Sequence, residues 1–249
     1  RLPKLQLLVT TGQRNLAIDM AAARECDVDV CGTTLLGYPA FEHTWALILS
    51  LMKQIPLEND AMHRGGWQVS FADGLRGKTL GVLGLGKLGA EVAKIGLAFQ
   101  MEVIAWSENL TAARAQDCGV RQVSKNDLLS LSDVLTIHLV LSARTRGLIG
   151  TEELQLMKSS AYLVNTSRGP IVDETALIDA LTRKSIRGAA LDVYDTEPLP
   201  SDHPIRKLDN AVLTGHTGYV IRDNFVHGYG EVVEDVLAWL SGKPLRLLN

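Results

Sequence analysis

Residues 78–94 read Lys78-Thr-Leu-Gly-Val-Leu-Gly-Leu-Gly-Lys-Leu-Gly-Ala-Glu-Val-Ala-Lys94, and this stretch decides the fold. The run Thr79–Leu83 is mostly apolar, as in a buried strand, and the segment that follows the glycines has few β-branched residues, which favours a helix. Strand, glycine-rich turn and helix in this order are the context that a dinucleotide-binding fingerprint requires. A glycine-rich turn in an α/β protein without such a ligand is the alternative, and the flanking strand and helix make it the weaker one.

In the spacing G-x-G-x-x-G, each glycine has a separate structural role. Gly84 permits the sharp turn, Gly86 lets the backbone approach a pyrophosphate, and Gly89 lets the helix lie close to the strand. The helix N-terminus offers unpaired N–H groups to phosphate. We therefore predict a dinucleotide as cofactor, bound here by Gly84, Gly86, Lys87, Leu88 and Gly89.

The composition excludes several classes of partner. The 249 residues carry a formal charge of −3 and a sequence pI near 6.1, so no basic field favours nucleic acid or an anionic membrane. The three cysteines lack metal-ligand spacing, and their odd number argues against a disulfide framework. The apolar run Trp45–Met52 is too short to cross a bilayer, and we expect no signal peptide. These features predict a cytoplasmic protein without a metal.

The order of elements suggests two domains. Residues 1–41 contain two strand-like runs and one helix-like run, with a turn at 11–15, and such a set cannot enclose a core alone. Either these elements dock on the rest of the chain, or they belong to a second α/β domain whose opening part is absent, and we favour the second account, with a domain boundary near residue 41. An apolar helix over 41–54 is expected to lie between the two domains.

From residue 78 onward, apolar strands alternate with helical segments. The strand-like runs are continuously apolar rather than alternating, which indicates that both faces are covered. This pattern is typical of a doubly wound parallel sheet of the Rossmann type. The predicted strands are Thr79–Leu83, Glu102–Trp106, Val134–Leu141, Tyr162–Thr166, Ala189–Val193 and Ala211–Thr214.

Ser107 and Glu108 follow the second of these strands, about 20 residues beyond the glycine turn. An acidic residue there would hold the adenosine ribose of NAD. Counting along the strand places Ser107 at that position. Its hydroxyl can form a hydrogen bond to a ribose hydroxyl. Unlike an aspartate, it carries no charge that would repel the 2′-phosphate of NADP. The negative charge of the neighbouring Glu108 favours NAD over NADP. NAD is therefore slightly preferred as the cofactor, and NADP remains an alternative.

Three further residues follow successive strands at the same sheet edge. Arg168 can form two hydrogen bonds to a carboxylate, and His216, between glycines, can give and take a proton. Glu197 precedes Pro198, and Asp192 lies inside an apolar strand, where an acid needs a partner. Each residue alone could be an ordinary surface arginine, loop acid or loop histidine. Their shared edge favours a catalytic site.

The same motifs carry a resemblance to the D-isomer-specific 2-hydroxyacid dehydrogenase family, over essentially the whole chain. The matching segments are Gly84-Leu-Gly-Lys-Leu-Gly89, Asn165-Thr-Ser-Arg-Gly-Pro-Ile-Val-Asp173, Leu191-Asp-Val-Tyr-Asp-Thr-Glu-Pro198 and His216-Thr-Gly218. The resemblance implies a Rossmann dinucleotide-binding domain of residues 42–219 with a second, incomplete flavodoxin-like substrate domain of residues 1–41 and 220–249. Two departures are Ser107, in place of the acid of NAD-preferring members, and Val140-Leu-Ser142, which lacks a proline often found there.

The resemblance also implies roles for individual residues. Arg168 would bind the 2-oxo acid, Glu197 would pair with the catalytic His216, and Asp192 would approach the nicotinamide carboxamide. The loop Thr10-Thr-Gly12 would receive the substrate carboxylate, which makes Thr11 and Gly12 substrate-binding candidates. The remaining cofactor contacts predicted for the site are His138, Thr166 and Gly218.

The implied activity is hydride transfer between a nicotinamide cofactor and a small D-2-hydroxy or 2-oxo acid. Protonated His216 would donate to the carbonyl oxygen while Arg168 holds the carboxylate. Members of this family usually form dimers, so the resemblance implies a homodimer. The alternative from another class is an NAD(H)-sensing, corepressor-like interaction protein without turnover.

Overall fold

The computed structural model describes residues 2–13, 15 and 17–249. The turn predicted at 11–15 includes Arg14, which lies outside the described residues. The chain divides into two compact units, one of residues 1–39 with 219–249 and the other of residues 40–218. The predicted domain limits, with their assignment to substrate and cofactor, stay a prediction.

The larger unit contains a seven-stranded sheet in which every pairing is parallel. Its strand order is β5-β4-β3-β6-β7-β8-β9, so the chain starts in the middle, winds to one edge and returns to wind to the other. The strands are β3 (Thr79–Leu83), β4 (Glu102–Trp106), β5 (Arg121–Gln122), β6 (Val134–Ile137), β7 (Tyr162–Asn165), β8 (Gly188–Leu191) and β9 (Ala211–Leu213). The predicted doubly wound α/β fold is confirmed. The order reverses between β3 and β6, where such sheets bind ligands.

Alternate residues of the strands enter two separate cores, one on each face of the sheet. Leu135 and Ile137 belong to one buried cluster, and Val134, Val82 and Val164 belong to the other. This explains the continuous apolar runs in the sequence. The helices of this unit are α2 (Tyr38–Met52), which begins two residues before the unit, α3 (Ile55–His63), α4 (Lys87–Ala98), α5 (Ala112–Asp117), α6 (Lys125–Leu131), α7 (Thr151–Leu156) and α8 (Glu174–Thr182).

The sequence predicts that Pro56 ends the preceding helix, but Pro56 lies in the first turn of a further helix, α3, where its missing N–H is not needed. The preceding helix, α2, covers Tyr38–Met52 rather than 41–54. The strand predicted over Val134–Leu141 ends at Ile137.

The smaller unit has a two-stranded parallel sheet of β1 (Leu7–Thr10) and β2 (Asp29–Gly32), with α1 (Met20–Glu25) between them in sequence. Its last helix, α9 (Arg222–Leu240), contacts β1. The indole Nε1 of Trp239 donates to Asp29 Oδ2 across 2.6 Å, which ties α9 to β2. In the described part of the chain, no helix is long and apolar enough to cross a membrane.

Candidate active site

The glycine turn after β3 has the geometry that its sequence requires. Gly84 has φ +103°, in the left-handed region that favours glycine, and a Cβ there would lie 2.7 Å from the carbonyl oxygen of His138. A Cβ on Gly89 would lie 2.0 Å from the carbonyl oxygen of Gly84. Neither position can accept a side chain unless the backbone moves.

Gly86 differs from both neighbours, because a Cβ at Gly86 would meet no atom within 4 Å. It is the N-cap of α4, whose first residues are Lys87 and Leu88. The helix start is therefore open on the side where a Gly86 side chain would stand, and its first N–H groups have no partner within the helix. A pyrophosphate fits such a cradle, which supports a dinucleotide as the ligand.

Ser107 lies beside this turn at the end of β4. The amide of Gly84 donates to the carbonyl of Trp106 across 2.9 Å, so the glycine turn and Ser107 are neighbours at the sheet edge. The carbonyl of Ser107 accepts from the amide of Leu110 at 3.0 Å, which closes a turn. Ser107 is half-buried, and Glu108 is exposed at the tip of that turn.

His138 and Thr166 directly follow β6 and β7 respectively. His138 Nε2 lies 2.9 Å from Thr136 Oγ1, and desolvation of the partly buried ring lowers its pKa to about 4. The ring is therefore neutral at pH 7. Thr166 Oγ1 lies 2.8 Å from Thr44 Oγ1 on α2.

His216 and Glu197 are brought together at the ends of β9 and β8. His216 Nδ1 lies 2.6 Å from Glu197 Oε2, and the other carboxylate oxygen of Glu197 accepts from the amide of Tyr194 at 2.9 Å. The second bond fixes the carboxylate, and the carboxylate in turn fixes the tautomer and the orientation of the imidazole. His216 has φ +56°, an uncommon conformation for a non-glycine residue. Both side chains line a pocket with Tyr194 and Arg206.

Asp192 follows β8 and is 1% exposed. Its Oδ1 accepts from the amide of Thr217 and from Thr214 Oγ1, at 2.8 and 2.6 Å, and its Oδ2 accepts from the amide of Gly218 at 2.9 Å. Burial raises the pKa of this carboxyl, but these bonds and one from His43 outweigh burial and lower the pKa to about 2. The loop that carries His216 thus supplies backbone hydrogen-bond donors that this buried carboxylate needs.

Arg168 follows β7 and is exposed. Its Nη1 donates to the carbonyl of Ser167 across 2.6 Å. The buried amide of Asn165 holds the turn, since its Nδ2 donates to the Arg168 carbonyl and its Oδ1 accepts from the Ser167 amide. The backbone at Arg168 is therefore rigidly placed, while its guanidinium is bonded only to a neighbouring carbonyl among the described contacts.

Two residues of this site were missed by sequence reasoning, His43 and Thr44 on α2. His43 Nε2 lies 3.0 Å from Thr214 Oγ1 and 3.3 Å from Asp192 Oδ1. Because the Thr214 hydroxyl donates to Asp192, it accepts from His43. Polar residues side by side in a largely apolar helix were the signal that could have identified them.

Thr11 and Gly12 lie in the smaller unit, and their substrate-binding role stays a prediction. The amide of Gly12 donates to Thr33 Oγ1 across 3.1 Å in a buried contact. Carboxylate binding by that amide would require this bond to break. Among the described residues, no group of three or more His, Cys, Asp or Glu side chains could hold a metal ion.

Comparisons with known proteins give a consistent result. The model of the D-isomer specific 2-hydroxyacid dehydrogenase, NAD binding domain, matches residues 45–218. Glyoxylate reductase of Aeropyrum pernix is 38% identical over 258 residues, covering 99% of this chain and 77% of that protein.

Two solved structures extend the comparison to the fold. Phosphoglycerate oxidoreductase from Vibrio cholerae o395 superposes with a TM-score of 0.88 at 32% identity, covering 95% of this chain and 78% of that one. D-Lactate dehydrogenase from Aquifex aeolicus, complexed with NAD and lactic acid, gives a TM-score of 0.81 at 30% identity, with coverages of 96% and 78%.

Proposed function

The chain belongs to the D-isomer-specific 2-hydroxyacid dehydrogenase family, and from this premise we propose that His216, Glu197 and Arg168 carry out its reaction. The reaction is transfer of a hydride between a nicotinamide dinucleotide and C2 of a small D-2-hydroxy or 2-oxo acid. The 2.6 Å contact between His216 Nδ1 and Glu197 Oε2 carries the proposal, because it gives the sheet edge an oriented acid–base group.

In the direction of reduction, the chain's residues supply the proton and hold the substrate. The bound cofactor supplies the hydride. His216, with Nδ1 held by Glu197, gives a proton from Nε2 to the carbonyl oxygen of the substrate, and in oxidation the same nitrogen takes it back. Arg168 leaves the carbonyl of Ser167 and binds the substrate carboxylate with two nitrogens. Thr11 and Gly12 are the proposed further contacts of that carboxylate.

The remaining cofactor contacts follow from their places along the sheet edge. We assign the pyrophosphate to the open cradle at Gly86 and the amides of Lys87 and Leu88, with Gly84 and Gly89 shaping the turn. The adenosine ribose lies at Ser107 and Glu108 in this proposal, and the nicotinamide end lies near strand ends β6 to β9. The residues proposed there are His138, Thr166, Asp192 and Gly218.

The test compares turnover with cofactor binding. We expect His216→Gln to lose the reduction of glyoxylate, hydroxypyruvate and pyruvate while retaining NADH binding, measured by fluorescence titration. A matched control is His203→Gln, because His203 Nε2 also pairs with a glutamate, Glu174, at 3.3 Å. A His216→Gln variant with full activity would contradict the assignment of His216 as the proton-transferring residue. Cofactor binding by the unaltered protein without turnover of any 2-oxo acid would favour the sensor alternative, which these relatives do not support.

We further propose that the protein is a homodimer that associates through α3 and the segment after it. Phe71 is 96% exposed and Trp67 is 73% exposed, and exposed apolar side chains concentrated in one segment favour an interaction site there. A second copy of the same surface would cover both rings. The exposed apolar side chains of this surface are Ile55, Leu57, Met62, Trp67, Val69 and Phe71.

A cytoplasmic location is the last part of the proposal. Cys26, Cys31 and Cys118 are all free thiols in the described structure, and Cys31 is buried. Thiols that stay unpaired are favoured in a reducing compartment. Fractionation of cells that express the protein with a tag would test it.

A further inference from the structure

The adenosine end of the cofactor site contains a cation that the proposed function leaves without a role. Arg114 lies on α5, and its Nε donates to the carbonyl of Leu85, 3.4 Å away. Leu85 is the residue between the first two glycines of the fingerprint. The side chain therefore reaches from α5 back to the glycine turn.

The backbone on both sides of this side chain fixes where it lies. Leu83 and Trp106 are paired neighbours on β3 and β4, so Leu85 and Ser107 lie side by side just beyond the strand ends. Thr111 caps α5, with its hydroxyl accepting from the amide of Arg114 at 3.2 Å. The Arg114 side chain therefore contacts the glycine turn at Leu85, next to the strand end that carries Ser107. The gap between the glycine turn and this strand end is where the adenosine ribose lies in this fold.

The charges around the gap favour an anion. In the described part of the chain, no carboxylate forms an ion pair with Arg114, although five other arginines do. Ser107 is half-buried in the position where an acidic side chain would repel a phosphate, and it offers a hydroxyl donor. The nearby carboxylate, Glu108, is exposed at the tip of its turn. An arginine fork with its terminal nitrogens available matches a phosphate dianion.

We propose that Ser107 and Arg114 form a subsite for the 2′-phosphate of NADP(H), so that the protein binds NADPH at least as tightly as NADH. This inference rests on the proposed function, because it names the cofactor of the same site. It revises the slight preference for NAD that Glu108 suggested from the sequence.

The test titrates NADH and NADPH into the protein and follows their fluorescence, so that it needs no turnover. Loss of a charge-assisted bond to phosphate predicts that Arg114→Gln weakens NADPH binding about ten- to a hundredfold and leaves NADH binding nearly unchanged. Ser107→Asp should act in the same direction, because it introduces repulsion against the 2′-phosphate. Arg121→Gln is the matched control, since Arg121 carries the same charge in β5 but is paired with Glu102 at 2.6 Å.

Adenosine fragments separate this subsite from the rest of the cofactor. In competition with NADPH, 2′,5′-ADP should bind more tightly than 5′-ADP to the unaltered protein and lose that advantage in Arg114→Gln. Equal loss of both dinucleotides in Arg114→Gln, or no loss of either, overturns the subsite and leaves the proposed dehydrogenase standing. Failure of the unaltered protein to bind either dinucleotide overturns both proposals.

Discussion

The carboxylate of Asp192 accepts a hydrogen bond from the backbone amide of Gly218, with 2.9 Å between Oδ2 and the nitrogen. Its other oxygen accepts from the amide of Thr217, so the acid holds the two residues that follow His216. A Cβ on Gly218 would lie 3.1 Å from the same carboxylate, which leaves little room for a side chain. The aspartate inside the strand therefore positions the proton-transferring loop, whatever it also does for the cofactor.

Asp192→Asn tests this positioning. Asparagine offers one acceptor oxygen, so its NH₂ group must face an N–H or O–H donor that the carboxylate now satisfies. An unsatisfied buried donor costs about 1–3 kcal/mol, measurable as the free energy of unfolding in urea. We expect kcat to fall about ten- to a hundredfold because the His216 loop loosens. Asp202→Asn, at an exposed loop position, should change neither quantity.

His43→Leu removes the donor that α2 supplies to the same network. Thr214 then loses the partner of its hydroxyl oxygen and Asp192 loses one of its donors, so we expect a loss of about 1–2 kcal/mol in unfolding free energy and a lower kcat. His43→Gln keeps an N–H donor of similar reach and should recover part of both. Equal stability and activity in the two variants would contradict a role for this hydrogen bond.

Burial of His138 makes the stability of the protein depend on pH. Its pKa is about 4 in the folded protein and about 6.5 in an unfolded chain, so below pH 6.5 the unfolded state takes up a proton that the folded state does not. The contribution is fully present above pH 6.5 and is lost as the pH falls towards 4. In urea unfolding, we expect the free energy of unfolding to fall between pH 7 and pH 4 by on the order of 2 kcal/mol less in His138→Gln than in the unaltered protein.

The control for that measurement is His63→Gln. His63 is exposed at the end of α3, so this variant removes a histidine without changing a buried site. A His138→Gln protein with the slope of the unaltered protein would show that the ring is not desolvated in the folded state.

Gly86 and Gly89 should respond differently to the same substitution. Gly86→Ala places a methyl group in open space with an ordinary backbone conformation, so we expect unchanged thermal stability and weaker NADH binding. Gly89→Ala forces a Cβ against the carbonyl of Gly84, and we expect a loss of about 1–3 kcal/mol or more in unfolding free energy. Gly74→Ala, also in open space but outside the turn, should leave both quantities unchanged.

Phe71→Glu tests the proposed dimer. The ring is 96% exposed, so the substitution has no contact to break within one chain, and the stability of a monomer should be unaffected. Buried in a dimer interface, the new charge would face an apolar surface. Sedimentation equilibrium should then show a dimer for the unaltered protein and a monomer for Phe71→Glu. A monomer in both cases would rule out association through this surface.

The sheet and its glycine turn could be predicted because their signals are local. Continuous apolar runs define buried parallel strands, and G-x-G-x-x-G between a strand and a helix defines the turn. Strand β5, with two exposed residues, carries no apolar signal and was missed. Helix α3 was missed because a proline that begins a helix and a proline that ends one look alike in the sequence.

The contacts of the site were less predictable than its members. Arg168, Glu197 and His216 could be selected because each follows a strand at one sheet edge. The hydrogen bond between Thr44 and Thr166 joins residues 122 positions apart, and no local sequence pattern predicts it. Arg114 was overlooked for the same reason, since only the folded backbone shows that α5 points its third residue at the glycine turn.

The placement of β3 between β4 and β6 also determines when the glycine turn can form. The amide of Thr79 donates to Asp133, 54 residues later, and the turn at Gly84 packs against the carbonyl of His138. Both contacts join parts of the chain that are far apart in sequence, so they exist only when β6 is paired with β3. The folded chain alone therefore presents the complete phosphate cradle, and a bound cofactor stabilises the folded state over the unfolded one by mass action.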